Sequence, residues 1–137
     1  MMWREHSLIS AELVASAWNE LTHGEEPWST MLADDRTGEI RRVVEALLDP
    51  RDGLESPSRR RRIRRAAARH GAFRGAQRCT ELVVFDDFYA LRAALRCVLR
   101  RRASRVVARD VVRLLLPDWR LARRAARTSH AEVRGGA

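Results

Sequence analysis

The side chains best able to do chemistry in this sequence lie between His70 and Arg92. His70 falls on the apolar face of a helical pattern that also carries Ile63, Ala66, Ala67, Phe73 and Gln77. An imidazole there can stay neutral in the core, bonded to a side chain or a carbonyl. It can also ligate a haem iron or change charge near neutral pH. Asp86 and Asp87 follow, set among apolar residues. A carboxylate buried without a partner is costly, so a guanidinium must approach it. Arg74, Arg78 and Arg92 are the candidate partners. Arg59, Arg60, Arg61 and Arg62 form a basic run, extended by Arg64, Arg65 and Arg69, that can touch nucleic-acid phosphates. No helix-turn-helix pattern accompanies the run, and no aromatics are interleaved with it. A solvated helix surface is the competing reading.

Catalytic and metal motifs are absent from the sequence. There is no glycine-rich phosphate loop, no HExxH and no EF-hand spacing. Ser, His and Asp are scattered rather than grouped, and catalysis needs named groups in convergent geometry. The expectation is a non-enzymatic protein without a metal. Cys79 and Cys97 form neither a CxxC pair nor a disulfide framework, and read as two small buried hydrophobes in a reducing compartment.

Charge is distributed unevenly. The 137 residues carry a formal net charge of +9, and every basic residue is arginine. Residues 1–55 hold 12 acidic residues against 5 arginines, a net of −7. Residues 56–137 hold 6 acidic residues against 22 arginines, a net of +16. The halves attract each other, and part of the excess is neutralised within the fold. The remainder is a positive field open to nucleic acid, an acidic partner or an anionic membrane surface.

Helical periodicity must position these groups. Residues 7–22 read as a first helix, with Ser7 or Ser10 as N-cap and Trp18 as its largest apolar group. Leu8, Ala11, Ala15 and Trp18 share one face, with Ile9, Leu13, Ala17 and Leu21 beside it, and Gly24 ends the helix. Pro27 can open a single turn holding Trp28, Met31 and Leu32. A second helix begins at Asp35 or Thr37 and runs to Leu48. Its Ile40, Val43, Val44, Leu47 and Leu48 fit an i, i+3, i+4, i+7, i+8 stripe. Ser56 and Pro57 start a third, to about Arg78, containing Gly71 and Gly75. Two glycines in a helix interior cost about 1 kcal/mol each relative to alanine. That cost fits a close backbone crossing.

Residues 80–102 form the central helix. Val84, Phe88, Leu91, Leu95 and Val98 make one apolar stripe; Leu82, Phe85 and Tyr89 make a second on another face. A helix apolar on two faces serves both its own core and a second surface, here a candidate dimer or partner face. A further helix is expected from residue 103, broken at Pro117-Asp118, resuming to about Thr128. Residues 129–137 read as a flexible tail, and His6, His23 and His130 as exposed. No alternating run with turn dipeptides signals a hairpin. The fold class expected is all-α, a bundle of five to six helices in one domain over residues 1–128. No run is long and apolar enough for a membrane span, and the N-terminus lacks a secretory h-region, so a cytoplasmic location is expected.

The string His70-Gly71-Ala72-Phe73-Arg74-Gly75, followed by Asp86-Asp87-Phe88-Tyr89-Ala90-Leu91-Arg92, resembles the RsbR/RsbRD-type N-terminal sensor domain of bacterial stressosome proteins and regulators. Ala17-Trp18-Asn19-Glu20-Leu21 is similar to the Trp-containing first helix of that family. The resemblance covers about residues 8–128. It implies a globin-like fold that does not bind haem, a homodimer built on long helices, a signalling partner and a role in signal transduction. It also implies that His70, Gly71, Arg74 and Gly75 hold the crossing of the third and central helices, with Asp87 and Arg92 bracing the latter. Two alternatives stand beside it: a haem-binding gas sensor with His70 as axial ligand, and a basic nucleic-acid-binding helical protein using Arg59 to Arg62.

Overall fold

The structure, a computed structural model, describes residues 10–22, 33–49 and 55–135. These form five helices and no strand, an all-α bundle. The turn expected at Pro27, the stop at Gly24, and His6 and His23 lie outside the described residues.

The helices that follow Ser10, Ser56 and Ser104 begin where the serine side chain accepts from first-turn N–H groups, whereas Thr80 at the start of its helix makes no such bond. In α1 (Ala11–Leu21) the Oγ of Ser10 accepts from the N–H groups of Glu12 and Leu13 at 3.1 and 3.3 Å. Val14, Ala15 and Trp18 are its buried face. Leu13 and Leu21, expected beside Trp18, are exposed instead. A three-turn helix packed mainly against α2 and α4 buries one stripe, and Leu13 and Leu21 beside it stay in water. In α2 (Ala33–Leu48) the periodic residues Ile40, Val43, Val44, Leu47 and Leu48 are all buried. α3 (Pro57–Ala76) has Ser56 as N-cap, its Oγ accepting from Arg59 N–H at 3.4 Å, and Pro57 in the first turn.

α3 ends more sharply than its sequence suggests. Arg78 takes a left-handed φ of 59°. Its N–H donates to Gly75 O at 3.0 Å, and the N–H of Cys79 donates to Arg74 O at 3.1 Å. This is the Schellman termination, which glycine normally supplies. An arginine in that conformation costs about 1–2 kcal/mol. The turn is secured from outside, because Nε2 of His130 donates to Cys79 O at 2.7 Å.

α4 (Glu81–Arg102) and α5 (Arg105–Gly135) are joined by Ala103 and Ser104 alone, which makes them antiparallel neighbours. Contacts Glu81–Arg127 and Phe88–Trp119 keep that register along the pair. α5 runs beside α3 in the same direction, since Arg59 meets Asp118, Gly71 meets Ala126 and Gly75 meets Val133. The core fills the space between, with Trp18, Ile63, Phe88, Leu91 and Leu115 among its largest members.

Two expectations about α5 are corrected. Pro117 does not interrupt it; the helix is continuous from 105 to 135. Proline inside a helix costs about 3 kcal/mol. Here Leu115, Trp119, Ala122, Ala126 and His130 continue one buried stripe across the proline, and their burial outweighs the lost bond. Residues 129–135 are helix rather than a flexible tail, and His130 is buried. Their partner is the C-terminal half of α3, where Gly75 leaves room for Val133.

The glycines of α3 admit a direct test. A Cβ at Gly71 would stand 2.0 Å from the backbone oxygen of Ala126, whereas one at Gly38 in α2 would meet nothing within 4 Å. Gly71→Ala is expected to destabilise by about 1–3 kcal/mol, because the obstacle is backbone and cannot rotate away. Gly38→Ala is expected to stabilise by about 0.4–1 kcal/mol. Urea denaturation of the two variants should give opposite signs.

Candidate functional site

Asp87 lies on the buried face of α4, fully enclosed, and four groups from three other helices converge on its turn. Nε of Arg74 donates to Oδ2 at 2.6 Å, and Nη2 donates to Oδ1. This is the two-pronged guanidinium–carboxylate geometry, stronger and more directional than a single contact. Nε2 of His70 is 2.8 Å from Oδ2. A carboxylate can only accept from it, so Nε2 carries the hydrogen, and Nδ1 is left buried without a partner. Nη1 of Arg74 also reaches the Cys79 sulfur at 3.7 Å. The indole N–H of Trp18 donates to Asp87 O at 2.8 Å, and that of Trp119 to Phe88 O at 2.8 Å. α3 is thereby pinned to the Asp87 carboxylate, and α1 and α5 to the two consecutive carbonyls of Asp87 and Phe88.

The predicted site residues are only partly brought together. His70, Arg74 and Asp87 form one cluster. Gly71 and Gly75 do not hold the crossing with α4; they face α5. A helix turns ~100° per residue, so Gly71 and Gly75 share a stripe rotated away from that of His70 and Arg74. Asp86 is exposed, one position off the buried face. Arg92 does not brace Asp87. Five residues on, it is rotated by about 140°, and its guanidinium carbon lies 5.8 Å from the ring of Trp119. Of the three proposed partners of Asp87, Arg74 is the one found.

The second face of α4 is open at both ends. Leu82 is 71% exposed and Tyr89 51%, while Phe85 between them is half-buried. Phe85 stacks on Tyr89 with ring centroids 6.5 Å apart. Arginines of α5 cover its other side, with Arg127 4.5 Å and Arg123 5.7 Å from the ring. Tyr89 also meets Trp119 edge-on at 5.7 Å. The aromatic face is therefore bordered by cations, a pairing that charge–quadrupole attraction favours.

The basic run of α3 is not one surface. Arg59 is fully buried and cannot touch a phosphate. It closes the end of α2: Nη1 donates to Ala46 O and Asp49 O at 3.1 Å each, and Nη2 to Leu47 O at 2.6 Å. Nε and Nη2 both donate to Asp118 Oδ2, at 3.3 and 3.0 Å. The five donors of the guanidinium are thus matched by five acceptor contacts. Periodicity cannot announce this role, because it places Arg59 beside Arg60 and Arg61 as one more solvated charge. The missed signal is positional: a cation at the third residue of α3 lies close in sequence to the carbonyl end of α2. Arg62 is half-buried, 3.6 Å from Asp49, and bonded to Ser58 Oγ at 3.0 Å. Arg60 is partly buried; Arg61 is exposed.

The surroundings of His70 do not fit a haem. Its Nε2 is occupied by Asp87, and its ring sits between the rings of Trp18 and Phe88, with centroids 6.3 and 6.0 Å away. Cys79 is buried as expected, but Cys97 is exposed. Among the described residues no group of three His, Cys, Asp or Glu side chains is placed to hold a metal ion, and no helix is long and apolar enough to cross a membrane. No family model, curated protein or solved structure matches the chain.

Proposed function

We propose that this chain is a non-enzymatic regulatory domain of the RsbR-type, globin-like class, a cytoplasmic bacterial signalling module that acts as a homodimer on a protein partner. The observation that carries the reading is the double commitment of α4. Its inner face is gripped at the Asp87 carboxylate by Arg74 and His70, with Trp18 on the same residue's backbone carbonyl. Its outer face, on the same two turns, presents Leu82 and Tyr89 to solvent around Phe85. A shift of α4 against a second copy would have to lengthen or break the bonds to Asp87. Packed interfaces of this kind have discrete arrangements rather than a continuum, and a partner that prefers one arrangement shifts the population toward it. The likeness of residues 70–75 and 86–92 to the family's motifs is what suggests this class.

Sedimentation equilibrium at micromolar concentrations tests the reading. A dimer is expected. Leu82→Asp and Tyr89→Asp, both on the exposed face, should weaken it by roughly tenfold or more in Kd while leaving helicity unchanged. A monomer in the unsubstituted chain would overturn the proposal.

A further inference from the structure

Part of the positive charge left over by the fold lines one groove. Arg92, Arg96 and Arg100 of α4 and Arg105, Arg109 and Arg113 of α5 line a hollow of about 380 Å³ between the two helices. Both sets repeat at i, i+4, i+8, so each forms a row along one helix face with steps of about 6 Å. The two-residue connection folds one row back beside the other. Residues 88–117 contain 8 arginines and a single carboxylate, Asp110, which lies 4.0 Å from Arg109.

Several arginines outside this groove are paired with carboxylates, and the groove is where six converge on one hollow. Arg62 lies 3.6 Å from Asp49, Arg69 3.6 Å from Glu39 and Arg127 2.6 Å from Glu81, while Arg74 is held by Asp87. The acidic N-terminal half thus draws on arginines of α3, and α4 supplies acids to α3 and to the far end of α5. Among the described residues, Arg92, Arg96, Arg100, Arg105 and Arg113 have no carboxylate within ion-pair distance. Like charges gathered in a concave, low-dielectric wall repel one another and focus field on whatever enters. Folding alone gives no reason for that arrangement. A polyanion does, and guanidinium is the side chain that matches phosphate oxygens two at a time.

We propose that this groove binds a linear run of phosphate groups, the chemistry shared by a nucleic-acid backbone and inorganic polyphosphate. Each arginine row spans about 12 Å along its helix. That length accommodates roughly three to four phosphates at the ~3.4 Å axial spacing of one strand. The site is separate from the run at Arg59 to Arg62, whose first member is buried in the fold.

Fluorescence anisotropy with the full chain and a labelled oligothymidylate of about 12 nucleotides tests this. Binding is expected, with log K falling against log salt at a slope of about −2 to −3 between roughly 50 and 200 mM. The double variant Arg96→Glu/Arg109→Glu, at the middle of both rows, should weaken binding at least tenfold. Arg61→Glu/Arg64→Glu, an equal change of charge on the exposed side of α3, should alter it less than twofold. Circular dichroism should show native helicity in both, since all four side chains are exposed. Unlabelled polyphosphate at equal phosphate concentration separates the sources. If it displaces the oligonucleotide, a free phosphate chain suffices as ligand. If only a second oligonucleotide does so, the site takes a nucleic-acid strand. No binding at low salt, or equal losses in the two double variants, would overturn the proposal.

Discussion

Asp87→Ala is expected to lower stability by about 3–5 kcal/mol, the cost of leaving a buried ion without its partner. A domain of this size is stable by about 5–15 kcal/mol, so the variant sits near the edge of folding. Arg74 would remain at 0% exposure with its two carboxylate bonds gone, and Nε2 of His70 would lose its acceptor. Neither can reach water without opening the contact between α3 and α4. The loss therefore exceeds that of a single buried hydrogen bond, which contributes about 1 kcal/mol net. A double-mutant cycle sharpens the point. Arg74→Met alone should be about as harmful as Asp87→Ala, because each strands the other's charge. The pair Arg74→Met/Asp87→Leu should cost clearly less than the sum, since apolar replacements of a buried ion pair are often tolerated. Chemical denaturation of the three variants reads this directly. A loss below about 1 kcal/mol for Asp87→Ala would mean the bonds to α4 are not what joins the helices.

Arg59→Ala is expected to cost a similar ~3–5 kcal/mol, by a different route. The carboxylate of Asp118, itself buried, would lose both donors. The carbonyls of Ala46, Leu47 and Asp49 would lose theirs in the same step. The last carbonyls of a helix have no partners within it, so Arg59 does for α2 what a capping residue does elsewhere. Damage should be local as well as global. Hydrogen exchange should quicken first in the last turn of α2 and around Asp118, before the α4–α5 pair is affected. Arg59→Lys should recover little, since an ammonium has three donors and no planar fork. By contrast, Arg61→Ala should fall within about 0.5 kcal/mol of the parent, as exposed substitutions usually do. If Arg59→Ala behaved like Arg61→Ala, the capping role would be wrong.

What the sequence determined by itself is the helical class and the stripes that α2 and α4 bury. The α2 stripe, the Val84–Phe88–Leu91–Leu95–Val98 line and the Ser56-Pro57 start of α3 follow from local periodicity and capping, which depend on neighbours within a turn or two. The need of Asp87 for a guanidinium was also legible, because burying a carboxylate among apolar residues leaves no other solution. The identity of its neighbours was not. Arg92 lies on the wrong side of its own helix and Arg78 falls beyond the end of α3, and the packing of α3 brings Arg74 to the carboxylate. The tertiary structure likewise decided that Pro117 lies inside a helix and that α5 continues past Thr128, because the energy holding those residues comes from α3, some 55 positions away in the chain. It decided which arginines are spent inside the fold and which remain. Periodicity assigns a charge to a face of its own helix, but a face is solvent or interior only once another helix has arrived.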